Sequence, residues 1–122
     1  MSKKILIVDD EEDITKLVRL ILEDEGYEVH AAPNGTEALG LLREELYDLV
    51  LLDLLMPGMN GWEVLKQLRI SAKANQTPVI LLTGRTTNPE DLQRDMLQYS
   101  AYITKPFHPD DLVKRIKQVV AP

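Results

Sequence analysis

The 122-residue chain contains no cysteine, which excludes disulfides, thiolate chemistry and Cys-ligated metals together. No apolar run approaches the roughly 20 residues that a membrane span requires. The amino terminus, Met1-Ser2-Lys3-Lys4 and a short apolar stretch ending at Asp9-Asp10, lacks the long apolar segment of a signal peptide. Basic charge is in deficit: 14 Lys and Arg stand against 20 Asp and Glu, for a net charge of −6. Direct nucleic-acid binding by this domain is therefore not expected. Low-complexity linkers, internal repeats and any sign of a second domain are also missing. These absences leave one domain over residues 1–122 of a cytoplasmic protein, without membrane association, as the simplest reading.

What is present suits a packed globular domain, with 44% apolar and 28% charged residues. Its order is an alternation. Ile5-Leu6-Ile7-Val8 reads as a buried strand. Ile14, Leu17, Val18 and Ile21 then form one apolar helix stripe, closed by Gly26. Tyr27 to Ala32 is a second strand, and Asn34-Gly35-Thr36-Glu37 opens a helix with Leu39, Leu42 and Leu46 on one face. Leu49 to Asp53 reads as a third strand, buried on both sides. Asn60 with Glu63 resembles a capping box ahead of a helix carrying Val64, Leu65 and Leu68. Thr77 to Leu82 is a fourth strand with Pro78 at its entrance. Asn88-Pro89 starts a fourth helix, with Leu92 and Met96 on one side. Ala101 to Thr104 is a short fifth strand, and Pro109 opens a fifth helix with Leu112, Ile116, Val119 and Val120. Five alternations with short connections imply right-handed βαβ units. The expected fold is α/β: a doubly wound, flavodoxin-like, five-stranded parallel sheet of order 2-1-3-4-5, with helices on both faces.

In that topology a ligand site belongs above the carboxyl ends of strands one and three. The first strand delivers Asp9 and Asp10 to that edge, the third Asp53, the fourth Thr83 and the fifth Lys105. Each polar group follows an apolar run. Two carboxylates about 4 Å apart repel by roughly 4 kcal/mol at an effective dielectric near 20, so three together need a cation, a raised pKa, or both. Without Cys or a nearby His the ligands are all oxygens, which suits a hard ion and Mg²⁺ in particular. Lys105 adds a positive charge able to pair with a carboxylate or a phosphoryl group. A carboxylate held between such cations can attack phosphorus and form an acyl phosphate. Taken singly, Asp9-Asp10 read as a solvated helix start, Asp53 as a turn cap, Thr83 as a turn residue and Lys105 as a surface charge. Their coincidence at one sheet edge is the signal.

Four segments carry a resemblance: Ile7-Val8-Asp9-Asp10-Glu11, Leu52-Asp53-Leu54-Leu55-Met56-Pro57-Gly58-Met59-Asn60-Gly61, Leu82-Thr83-Gly84 and Tyr102-Ile103-Thr104-Lys105-Pro106-Phe107. Together, in this order and spacing, they resemble the receiver domain of two-component response regulators, of the chemotaxis-regulator type. The resemblance spans essentially the whole chain. It implies a phosphorylation-dependent signalling switch, in which Asp53 accepts a phosphoryl group from the phosphohistidine of a sensor histidine kinase or phosphotransfer domain. It implies Mg²⁺ as cofactor, with Asp10 as a direct ligand, Asp9 acting mainly through water, and Asp53 and the Leu55 carbonyl completing the set. Lys105 would pair with the phosphoryl group, Thr83 would move to it, and the Gly84 N–H would contact it. Lys105-Pro106 would be cis. Inward movement of Thr83 would make room for Tyr102 and reshape the face of the fourth helix, fifth strand and fifth helix. That face would control a downstream effector or a fused output domain, and a dimer through it is left open. Such a domain promotes only its own phosphorylation and dephosphorylation and is not otherwise an enzyme.

Several positions depart from the family pattern or vary within it. Gln98-Tyr99 stands where many receivers have Gly-Ala, which removes an αL cap and points to an altered fourth helix. Leu55 and Arg85 flank the phosphorylation site, and an apolar residue beside a long one points to slow dephosphorylation. Trp62 is expected as a partly exposed helix residue, His30 as a strand-surface residue and His108 as a helix cap. A haloacid dehalogenase-type phosphohydrolase would carry a D-x-D motif on the first strand and a cap, and neither is seen. A flavin carrier of the same fold would have a Ser/Thr/Gly-rich first loop, and this one is acidic. A degenerate receiver serving as a scaffold would not need the full acidic set with Thr83 and Lys105.

Overall fold

Apolar runs of four or five residues become strands here because both of their faces can be covered by helices. The computed structural model describes residues 2–56, 58–84 and 99–120. Its strands are β1 (Lys4–Val8), β2 (Glu28–Ala32), β3 (Leu49–Asp53), β4 (Val79–Thr83) and β5 (Ala101–Thr104). All are parallel to their neighbours, in the order β2-β1-β3-β4-β5. The helices among the described residues are α1 (Glu12–Asp24), α2 (Gly35–Glu44), α3 (Gly61–Ile70) and α4 (Pro109–Val119). The helix expected to open at Asn88-Pro89 lies outside the described residues, as does Gln98. The fifth expected helix is therefore α4.

Alternation along the strands sorts the core into two layers. Leu6, Val8, Val50, Leu52, Val79 and Leu81 pack with Ala38 and Leu42 of α2 and with Val64, Leu65 and Leu68 of α3. Ile5, Ile7, Leu49, Leu51, Ile80 and Leu82 pack on the other face with Val18 and Leu22 of α1 and with Leu112 and Ile116 of α4. Every residue of β3 and β4 is buried, whereas the edge strands β2 and β5 expose some of theirs. This is the doubly wound arrangement expected from the sequence.

The helix ends form where the sequence marks them. Asn34 Oδ1 accepts the Glu37 N–H at 2.9 Å, and Asn60 Oδ1 the Glu63 N–H at 3.0 Å, each satisfying a first-turn donor. His108 Nδ1 accepts from Asp110 N at 3.3 Å, ahead of Pro109. Past α1, Gly26 at φ 92° lets its own N–H reach Glu23 O and the Tyr27 N–H reach Leu22 O, a Schellman closure. Some details differ from expectation. Leu17 is 45% exposed, and Leu22 takes the buried place in the α1 stripe, because the apolar arc of α1 is wider than the sheet can cover. Leu46 lies beyond the end of α2 and is exposed. β4 begins at Val79, after Pro78, which supplies no ladder donor.

The β3–α3 connection brings backbone against backbone. A Cβ on Gly61 would lie 2.6 Å from Leu54 Cα and closer still to the Asp53 carbonyl oxygen. Neither neighbour is a flexible side-chain end. Gly61→Ala is thus expected to lower stability in urea unfolding by about 1–3 kcal/mol. A change below about 0.5 kcal/mol would show that this connection yields freely.

Candidate functional site

Strand register decides which side chains meet. Val8 pairs with Leu52, Asp53 with Leu82 and Thr83 with Thr104. The strands therefore end level, and the residues that follow gather at one edge. There Asp9, Asp10 and Asp53 bring carboxylate oxygens within 4.8 Å of one another. Asp9 and Asp53 are buried, at 2% and 4% exposure, while Asp10 faces solvent.

Each buried carboxylate is fixed on one side by the backbone. Asp9 Oδ1 accepts the Glu11 N–H at 2.9 Å, and Asp53 Oδ1 accepts the Leu55 N–H at 3.1 Å. Their other oxygens face Lys105. Its backbone N–H donates to Thr83 O at 2.6 Å, which seats it beside β4. Its ammonium lies 2.7 Å from Asp9 Oδ2, 3.2 Å from Glu11 Oε1 and 3.5 Å from Asp53 Oδ2. Burial pulls the Lys105 pKa down, but the bond to Asp9 and the charges of Asp9 and Asp53 outweigh it and raise the pKa above its ordinary value. For Asp53, burial first and then the Asp9 charge push the carboxyl up to about 6, against the Leu55 N–H and Lys105. One ammonium thus leaves the carboxylates only partly compensated. A donor set of three carboxylate oxygens fits a hard divalent cation such as Mg²⁺, and Asp9, Asp10 and Asp53 are the residues that could hold it.

Thr83 is buried and its hydroxyl donates to Ile103 O at a long 3.4 Å. Gly84 follows it, partly buried. The Leu55 side chain is 59% exposed, although its N–H is committed to Asp53. Lys105-Pro106 is cis. Tyr102 stands apart from the cluster on edge strand β5, 47% exposed. Arg85 lies outside the described residues. Tyr99 packs against the α2–α3 side of the core, its ring 6.5 Å from that of Trp62, edge to face.

Sequence reasoning missed two features. Glu11 belongs to the acidic first loop, but nothing in the spacing assigned it to Lys105. His30 is more than a surface residue: its Nδ1 lies 2.8 Å from Tyr47 Oη and 3.2 Å from Glu45 Oε2, and its Nε2 2.8 Å from Glu28 Oε2. Tyr47 also donates to Glu45 at 3.1 Å, and burial followed by that bond pushes its phenol well above the ordinary range. Glu28 is two residues away on β2, but Tyr47 and Glu45 come from the segment before β3, a pairing that no local pattern could reveal.

The raised Asp53 carboxyl has a signed consequence. Between about pH 4 and pH 6 the folded chain holds a proton there that the unfolded chain has lost, so stability falls as pH rises through this window. Asp53→Asn lacks that dependence. With chelator present, its stability advantage over the natural chain should grow from near zero at about pH 4 to about 1–2 kcal/mol at neutral pH, after allowance for solvent screening. An advantage that does not change with pH in denaturant titrations would contradict this.

Comparison with known proteins agrees with the geometry. The sequence model of the response regulator receiver domain matches residues 5–117. The chain is 47% identical over 113 residues to the uncharacterized transcriptional regulatory protein YkoG of Bacillus subtilis, covering 93% of this chain and 49% of that one. It is 43% identical over 117 residues to the transcriptional regulatory protein ResD of the same organism, covering 96% and 48%. The chain thus spans about half the length of these curated relatives. Among solved structures, the chemotaxis protein CheY4 of Vibrio cholerae superposes with a TM-score of 0.90 at 34% identity, over 98% of this chain and 99% of that one. Response regulator TrrA of Thermotoga maritima, in complex with Mg²⁺-BeF, superposes with a TM-score of 0.84 at 39% identity, over 96% and 98%. By sequence and by fold, this chain belongs to the receiver domain family of two-component response regulators.

Proposed function

We propose that the chain is a phosphorylation-dependent switch whose phosphoacceptor is Asp53. The observation that carries this reading is the buried Asp53 carboxylate beside Asp9, Asp10 and the Lys105 ammonium at the end of β3. An Asp53 oxygen attacks phosphorus, the P–N bond to the donor imidazole breaks, and the imidazole leaves with the electron pair. The product is an aspartyl phosphate. Asp9, Asp10, Asp53 and the Leu55 carbonyl would hold Mg²⁺, which when bound offsets negative charge on the transferring group. The Leu55 N–H on Oδ1 keeps the carboxylate oriented, leaving Oδ2 on the Lys105 side. Lys105 would pair with the new phosphoryl oxygens, and the Gly84 N–H would donate to one.

Phosphorylation adds roughly −1.5 to −2 charges at this edge. The long Thr83–Ile103 bond is readily exchanged for one to the phosphoryl group. That movement frees space for Tyr102 on β5 and shifts the β5–α4 face between two populations. The donor is the phosphohistidine of a sensor histidine kinase or phosphotransfer domain. The names of YkoG and ResD favour control of transcription, through an effector or a fused output domain. Among the described residues no helix is long and apolar enough to cross a membrane, and the cytoplasm is the proposed location. The whole of residues 1–122 acts as one receiver unit.

The test is incubation with acetyl phosphate, with and without Mg²⁺, followed by intact mass. One phosphoryl group should be gained only with the metal, and none by Asp53→Asn. Absence of any gain would instead favour a scaffold role. Leu55, two residues after Asp53, is apolar and exposed, and its side chain would impede the hydrolytic water. Leu55→Asn should therefore shorten the phosphoryl lifetime, and an unchanged lifetime would refute that role.

A further inference from the structure

Glu11 has no part in the reaction proposed above, yet its position is closely fixed. Its N–H donates to Asp9 Oδ1 at 2.9 Å, and its carbonyl accepts the Thr15 N–H at 3.1 Å and the Thr15 hydroxyl at 3.2 Å. It precedes α1 but makes no side-chain cap. The carboxylate turns instead to Lys105, with Oε1 3.2 Å from Nζ. Ordering a largely exposed glutamate costs side-chain entropy, which attraction to a charge offsets.

The oxygens of Asp9 and Asp53 that are not tied to a backbone N–H both face the same ammonium. A divalent cation and Lys105 cannot share those two oxygens at contact distance without strong repulsion. When the carboxylates turn to a cation, Lys105 must withdraw, and withdrawing a half-buried ammonium without a partner is costly. Of its three carboxylate neighbours, Glu11 is the one outside the buried pair, and its carboxylate is solvent-facing, with a side-chain exposure of 59%.

We infer that Glu11 is a positioning residue: it receives the Lys105 ammonium when Asp9 and Asp53 engage a divalent cation, and so sets how readily the acidic edge accepts one. This rests on the proposed use of Asp9, Asp10 and Asp53 as metal ligands. Glu11 acts through its reach to Lys105, not merely through its charge.

NMR amide-shift titration with Mg²⁺ tests this without measuring phosphorylation. Glu11→Gln should raise the Mg²⁺ Kd about five-fold. Glu11→Asp keeps the charge but withdraws the carboxylate by one methylene, and should weaken binding about as much as Glu11→Gln. Glu12→Gln removes an equal charge from a side chain 3.4 Å from Lys16, and should change Kd by less than about two-fold. In Lys105→Met, where no ammonium needs a new partner, Glu11→Gln should lose most of its effect. A Glu11→Asp chain that binds Mg²⁺ like the natural one, or an undiminished Glu11→Gln effect in Lys105→Met, overturns the inference by reducing Glu11 to a distant charge. Failure of the natural chain itself to bind Mg²⁺ would remove the metal site on which it rests, a result distinct from binding that is merely insensitive to Glu11.

Discussion

The Lys105 ammonium is the contact on which this sheet edge depends. It stands 2.7 Å from one buried carboxylate and 3.5 Å from another, with a third acid, Asp10, exposed beside them. Without it, burial and the Asp9 charge would drive Asp53 further toward protonation. With it, Asp53 still sits above the ordinary carboxylate range, at about 6. Three carboxylates against one ammonium leave the edge short of neutrality, and the proposed cation site rests on that residual negative charge. A fully paired edge would be more stable and chemically inert.

The fold delivers this imbalance by register alone. Parallel strands of nearly equal length end level, so a residue placed just after each apolar run arrives at the same edge. Lys105 reaches it because its own N–H is seated on Thr83 O. Asp53 is fixed because the next turn folds back closely enough that only glycine fits at position 61. The two apolar layers behind the strands hold these ends in place. Packing, turn chemistry and electrostatics thus act on the same few residues.

Much of this was legible in the sequence, for identifiable reasons. β3 and β4 are continuous apolar runs, and burial on both faces permits little else. Asn34, Asn60 and Pro109 mark helix starts through chemistry that is local to the chain. The meeting of Asp9, Asp10, Asp53 and Lys105 was legible because topology converts strand ends into neighbours. What was not legible depends on distances between separate elements. Leu17 fits the α1 periodicity as well as Leu22 does, and only the width of the sheet decides between them. Glu11 looks like one more acid in an acidic loop until Lys105 is placed. His30 acquires Tyr47 and Glu45 only when β2 and the segment before β3 come together.

The central claim is that the crowded carboxylates form a cation site, because a ligand bound only by the folded state must stabilise it. The direct measurement is the unfolding midpoint as a function of Mg²⁺ at constant ionic strength, in the natural chain and in Asp10→Asn. The midpoint is expected to climb with the logarithm of Mg²⁺ in the natural chain and hardly to move in the variant. An equal rise in both, or none in either, would contradict it.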